Sequence, residues 1–425
     1  MDVLPTDKIA CIDMHTCGEP TRIVISGFPK LDTTDTLLEQ RVQAKKQYDH
    51  VRKRLMLEPR GHDEMYGAIL CRDTELVRSK GAHIGVLFTH NHGFSTMCGH
   101  ATLALVRSRN PKYIQQKKKK KGESLTIANT TQGRFLVDTH DSDIFPRRSE
   151  LAFNYEQQTT TVNIHAPCGL VSVSVPTLAD GSKADVSRPV SFISTPSFAS
   201  GVNVSVRIPE SKKWPELQGR DALTLDVSFG GTYYALVSAR ELGFAKSGLD
   251  CQTMDLEGLS RSVRLLKSHL IEDEAFRPYI THPTTPDYSF LYSIMVVDDT
   301  QGVIPVGSGS EGAETGLCFF ADHQIDRSPT GSCVMARMAL AYAKGLRKPG
   351  QRWTYHSVVS NAFGGEGGFT AEIADEEDIP GGPKGVRVKV EGKAFYTGAS
   401  QFVSEPGDVI SESGFTMKSL AGRAA

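Results

Sequence analysis

Cys98 stands immediately before Gly99 and a short segment, His100 to Arg107, whose Ala and Leu residues recur at helical spacing. The first N–H groups of a helix lack carbonyl partners, and together with the helix dipole they favour thiolate over thiol. Cys98 is therefore a candidate base or nucleophile. Standing alone, such a cysteine is more often an ordinary buried residue. A second helix start shares its form: Cys98-Gly99-His100-Ala101-Thr102-Leu103 can be laid over Thr330-Gly331-Ser332-Cys333-Val334-Met335. Short apolar runs precede both, Val86-Leu87-Phe88 and Leu317-Cys318-Phe319-Phe320. This weak internal repeat suggests two related lobes, each presenting one helix start to a ligand between them.

The elements that must hold these helix starts are mostly strands. Arg22 to Gly27, Gly85 to Thr89, Val162 to Ile164, Leu170 to Val175, Ser289 to Val297 and Gly385 to Val390 are short, rich in β-branched residues and bounded by glycine or proline. Ser332 to Lys344 carries the clearest helical pattern. Three stretches read as insertions or surface loops. Residues 32–54 are polar and charged, residues 110–123 contain the run Lys117 to Lys121, and residues 245–275 read as helical and amphipathic.

A chain of 425 residues with a formal net charge of −1 has room for two or three domains and no global field to draw it to nucleic acid or an anionic membrane. Without interleaved aromatics the lysine run reads as a solvated loop. No apolar stretch approaches membrane-spanning length, and Met1 to Ala10 lacks the apolar core of a secretory signal, so a cytoplasmic protein with a small-molecule partner is expected. Eight cysteines without a CxxC pair read as reduced thiols. His90, His92, Cys98 and His100 raise the question of zinc, but their spacing fits no closed four-ligand motif. Asn361 to Gly368 is glycine-rich without the order of a phosphate loop, and reads as a turn or the border of a site.

Met97-Cys98-Gly99-His100 and Asp326-Arg327-Ser328-Pro329-Thr330-Gly331-Ser332 resemble the two catalytic motifs of the proline racemase family. Asp13 to Pro20, Glu58 to Gly67 and Asp226 to Ala235 resemble further blocks of that family in the same order, so the resemblance runs from about residue 10 to about residue 400. It implies an α+β, diaminopimelate epimerase-like fold with pseudo-two-fold related lobes and a cleft between them. Residues 1–200 would form the first lobe, with 397–425 returning to it, and 201–396 the second. No cofactor is implied, and the resemblance leaves room for a homodimer.

Members of that family that invert the α-carbon carry a second cysteine where this chain has Thr330, and a hydroxyl has no thiolate-like form near neutral pH. Within the family, the pairing of cysteine with threonine looks like the enzymes that dehydrate trans-3-hydroxy-L-proline to Δ1-pyrroline-2-carboxylate. Stereochemistry agrees, because in that substrate the α-proton and the hydroxyl share one ring face, so a single base suffices. Cys98 would take the α-proton and Thr330 would form the opposite wall. Backbone N–H groups of Gly99, His100, Gly331 and Ser332 would hold the substrate carboxylate. By resemblance, Asp326 would pair with the ring ammonium beside His100, with Tyr66 and Phe320 as aromatic walls. The alternatives are 4-hydroxyproline epimerase or proline racemase activity, and a non-catalytic protein that binds a proline derivative. Cys333, three residues inside its helix, is expected to point away from the site.

Overall fold

The computed structural model describes residues 8–32, 36–106, 150–181, 184–321 and 323–421, so the lysine run Lys117 to Lys121 lies outside the described residues. In chain order the first part comprises β1 (Lys8–Thr16), β2 (Glu19–Ser26), α1 (Leu37–Gln47), α2 (Asp49–Met56), β3 (Tyr66–Cys71), α3 (Glu75–Arg78), β4 (Ile84–His90), β5 (Gly93–Ser95) and α4 (Gly99–Leu105). β6 (Ala152–Asn154), β7 (Thr159–Ala166), β8 (Gly169–Pro176) and β9 (Val190–Ile193) follow. The second part opens with β10 (Phe198–Arg207), β11 (Ala222–Phe229), β12 (Tyr233–Ser238), α5 (Leu256–Glu272), β13 (Leu291–Asp298), β14 (Ala313–Phe320), β15 (Gln324–Asp326) and α6 (Gly331–Ala343). It closes with β16 (Trp353–His356), α7 (Val358–Ala362), β17 (Phe369–Asp378), β18 (Lys384–Gly392), β19 (Phe395–Val403), α8 (Val409–Ser413) and α9 (Met417–Ala421).

Strand pairing repeats itself. In the first part β1–β2 is antiparallel, β2–β3 parallel, β3–β4 and β4–β5 antiparallel, β4–β7 parallel, and β7–β8 and β8–β9 antiparallel. The second part gives the same series with β11–β12, β12–β13, β13–β14, β14–β15, β14–β16, β16–β17 and, in place of the last pair, β17–β18. In both parts the hairpin that ends in β5 or β15 feeds a helix that opens on glycine. Two α+β lobes related by this duplication meet where β9 pairs antiparallel with β18. β19 pairs antiparallel with β1, as β10 does with β11.

Helices α4 and α6 lie in the same hydrophobic core, where Leu103 and Ala104 share a cluster with Met335, Met338 and Phe369. Every residue of α6 from Gly331 to Leu340 is buried. That burial, worth about 1.5 to 3 kcal/mol for each large side chain, anchors a helix whose first turn faces a cavity. A second cluster lies between α5 and the strands β10 to β14. Among the described residues no helix is long and apolar enough to cross a membrane.

Residues 36–56 are not a surface loop but two helices. The apolar stripe of α1 and α2 is narrow, essentially Leu37, Ala44, Val51 and Leu55, which is why the pattern is weak in the sequence. Two buried polar side chains widen it: Gln40 Nε2 donates to the Asp73 carbonyl at 2.9 Å, and Arg52 NH1 donates to the His90 carbonyl at 2.6 Å and the Asn91 carbonyl at 2.7 Å. Of residues 245–275, only Leu256–Glu272 is helical among the longer elements, and Asp255 caps it by accepting from Gly258 N at 2.9 Å.

Candidate functional site

The first residues of α4 and α6 touch. A Cβ added to Gly99 would lie 2.5 Å from Gly331 Cα, and one added to Gly331 would lie 2.8 Å from Gly99 Cα. Backbone meets backbone here, so only glycine fits at either place. The block at residues 226–235 locks the junction: a Cβ on Gly230 would lie 2.1 Å from the Ser332 carbonyl oxygen, and Thr96 Oγ1 donates to the Gly231 carbonyl at 2.8 Å.

Cys98 is the N-cap of α4, in extended conformation, and its Sγ accepts from Ala101 N at 3.3 Å. Sγ lies 3.4 Å from His100 Nδ1, and that nitrogen is 3.9 Å from Asp326 Oδ2. Burial pushes the thiol well above its ordinary value, the Asp326 and Glu19 carboxylates push the same way, and the bond from Ala101 N opposes them. The helix-end effect expected for Cys98 is thus present but outweighed by burial. Burial also holds His100 below the usual histidine range, so it is neutral.

Thr330 caps α6 differently. Its φ of +60° lies in the left-handed region, costly for a β-branched residue, and its hydroxyl makes no cap bond to the helix. Instead Oγ1 donates to Asp326 Oδ2 at 2.7 Å, while Thr330 N donates to Ser328 Oγ at 3.1 Å and Ser328 N to Asp326 Oδ1 at 2.8 Å. Together these bonds hold the strained residue in place.

All nine residues singled out from the sequence line one small, tight cavity at the two helix starts. Tyr66 stands edge-on to His100, with ring centroids 4.7 Å apart, and 6.0 Å from Phe320. Sequence reasoning missed four other lining residues: Met97, Tyr234, Tyr292 and Cys318. Tyr234 OH bonds Ser332 Oγ at 2.6 Å. Cys318 sits opposite Asp326 in the β14–β15 register, and its Sγ lies 2.9 Å from Ser293 Oγ. Its place beside the motif Asp326 to Ser332 becomes readable only once the hairpin is known. Burial, with Asp326 adding to it, pushes this thiol up to about 12. Cys333 is fully buried in the core and does not line the cavity.

Behind the cavity Glu19 is fully buried; its Oε2 accepts from Arg327 N at 2.8 Å and its Oε1 has no partner. Burial, then Asp326, pushes its carboxyl well above the ordinary range. His90 packs on Tyr66 at 5.7 Å, and burial, with Arg52 and His92 nearby, holds it down at about 3. Among the described residues no group of three or more His, Cys, Asp or Glu side chains is arranged to hold a metal ion. The glycine-rich stretch after α7 packs on the β1–β2 turn, where a Cβ on Gly367 would lie 2.7 Å from Cys17 Sγ.

The family described as proline racemase matches residues 11–134 and 152–416. A trans-L-3-hydroxyproline dehydratase of Bos taurus is 36% identical over 415 residues, covering 97% of this chain and 96% of that protein. The trans-3-hydroxy-L-proline dehydratase of Homo sapiens is 35% identical over 415 residues, with the same coverage of both chains. Among solved structures, a hydroxyproline epimerase from Agrobacterium vitis with bound trans-4-hydroxy-L-proline superposes with a TM-score of 0.71 at 19% identity, covering 99% of each chain. At that identity the likeness concerns the fold.

Proposed function

The chain belongs to the proline racemase family, and we propose that within it this protein dehydrates trans-3-hydroxy-L-proline to Δ1-pyrroline-2-carboxylate. The observation that carries the reading is the inequality of the two helix starts: a thiol at Cys98, and at Thr330 a hydroxyl already committed to Asp326. In this reading the substrate carboxylate takes the first N–H groups of α4 and α6, and the ring ammonium pairs with Asp326. That ammonium cancels the carboxylate charge that raises Cys98, so the bound substrate itself favours the thiolate. Cys98 removes the α-proton, the N–H groups hold the charge that develops on the carboxylate, and hydroxide leaves C3 from the same face. One well-placed donor of this kind contributes roughly 3 to 4 kcal/mol in the transition state. The resulting enamine tautomerises to the ketimine.

A second reading, 4-hydroxyproline epimerase or proline racemase, is favoured by one observation: Cys318 supplies another thiol to the cavity. Cys318 lies on strand β14 with its Sγ 2.9 Å from Ser293 Oγ and, among the described residues, no helix-start N–H beside it, whereas Cys98 Sγ accepts from Ala101 N at the start of α4, which favours Cys98 as the single base and hence dehydration. Incubation with trans-3-hydroxy-L-proline, trans-4-hydroxy-L-proline and L-proline, following ketimine and optical rotation separately, distinguishes the two. Ketimine from the first substrate alone is expected; inversion of either other substrate at a similar rate overturns the reading. The proposal includes lobes at 1–200 with 397–425 and at 201–396, no cofactor, and a cytoplasmic setting in keeping with eight free thiols. Sedimentation of the purified chain tests the homodimer.

A further inference from the structure

Dehydration needs two proton transfers, and hydroxide is a poor leaving group unless it is protonated as it departs. Cys98, once it holds the α-proton, is a single thiol asked to act at both Cα and the C3 oxygen. Beside it stands a group the reading above uses only as a wall. Tyr66 OH is 2.5 Å from Ser95 Oγ, and Ser95 lies in the turn that leads to Cys98, with its Oγ also 3.4 Å from the Met97 carbonyl. Tyr66, Cys98 and Tyr292 all line the same cavity. A plain aromatic wall has no need of a hydroxyl there.

We propose that Tyr66 is a catalytic residue, the general acid that protonates the departing 3-hydroxyl on the face served by Cys98. This inference rests on the dehydratase reading. The Cα–H bond breaks and its proton goes to the Cys98 thiolate. As the C3–O bond breaks, its electron pair leaves with oxygen, which takes the Tyr66 proton and departs as water. The phenol recovers a proton from the Cys98 thiol, restoring thiolate and tyrosine. One substrate gives one enamine and one water, with no net change in the protein. Burial pushes the phenol well above its ordinary value, so Tyr66 starts each cycle protonated, and Ser95 holds its oxygen in place.

The test is Tyr66→Phe assayed with two substrates, trans-3-hydroxy-L-proline and trans-3-fluoro-L-proline, because fluoride leaves without a proton. Ketimine formation from the hydroxy substrate should fall roughly 100-fold while that from the fluoro substrate stays within about threefold. α-Deuterium should also accumulate in recovered hydroxy substrate in heavy water, since proton removal then outruns elimination. Equal losses on both substrates, or no loss on either, overturn the assignment. Should Tyr66→Phe fail to fold, Ser95→Ala, which keeps the ring but frees the phenol, must show the same bias against hydroxide, and equal losses there overturn it too. If the parent makes no ketimine from either substrate, the dehydratase reading itself has failed, a result separate from any behaviour of the variants.

Discussion

The starts of α4 and α6 occupy equivalent places in two duplicated lobes and press glycine against glycine, yet their caps are built in opposite ways. At Cys98 the backbone is extended and the side chain accepts from its own helix at Ala101 N. At Thr330 the backbone is left-handed and the side chain turns away from its helix to Asp326. A duplicated frame can thus carry unequal chemistry, because the frame depends on the glycines while the chemistry depends on the residue just before them. On one side the cap is a thiol that faces the cavity; on the other it is a hydroxyl that donates to the carboxylate of Asp326.

The largest effect should come from removing the reactive cap. Cys98→Ser should lower ketimine formation at least roughly 1,000-fold with little change in melting temperature, since a hydroxyl is a far weaker base of similar size. Activity within tenfold of the parent would show that the two caps are not functionally unequal. Next, Gly331→Ala attacks what they share: its Cβ meets Gly99 Cα at 2.8 Å, so the helix ends must part. Activity should fall about 100-fold and chemical denaturation should show a loss of about 1 to 3 kcal/mol, as for overpacked cores. An unchanged denaturation midpoint would mean that the junction yields at no cost.

Thr330→Cys makes the caps alike. Dehydration should drop about tenfold, and the variant should invert L-proline while the parent should not; deuterium exchange with chiral analysis reads both. Inversion by the parent at a rate like its dehydration would sink the one-base assignment. The smallest effect is graded by pH. Because burial raises Cys98 well above the ordinary thiol value, the thiolate is the minority form and gains with each rise in pH. The kcat/KM for trans-3-hydroxy-L-proline should therefore climb by up to about tenfold per unit from neutral pH upward. A profile flat between pH 7 and 9 would mean that the base is already ionised.

Periodicity and punctuation made the strands and both helix starts legible, and the short match between Cys98 to Leu103 and Thr330 to Met335 anticipated a duplication that the pairing of strands extends over each lobe. Six of the nine residues read from the sequence lie at the two helix starts, where capping chemistry points to them, while Asp326, Tyr66 and Phe320 come from the family resemblance. Cys318, Tyr234 and Tyr292 could not be named, because each sits on a strand buried almost throughout, where the sequence does not say which side chains face a cavity. Which strand stands beside which is a long-range fact; Cys318 reaches the cavity through its register with Asp326. The helices α1 and α2 were hidden for another reason: Gln40 and Arg52 are buried for their hydrogen bonds, so the stripe is not apolar.

The pairing of β1 with β19 has a consequence for how the chain is made. Lys8 finds its partner in Val403, and Arg60 fastens the same region by donating to the Val403 carbonyl at 2.8 Å. Synthesis at ~5–20 residues per second leaves one edge of β1 without that partner for roughly 20 to 80 s. For about the second half of that interval β10, the counterpart of β19 in the duplicated pairing, is present and can offer the same edge contact. The symmetry that frames the cavity therefore also supplies a decoy for the nascent chain. In refolding followed by pulse-labelled hydrogen exchange, the β1 amides on the edge facing β19 should gain lasting protection later than those bonded to β2, and simultaneous protection of both edges would show that closure by β19 is not delayed.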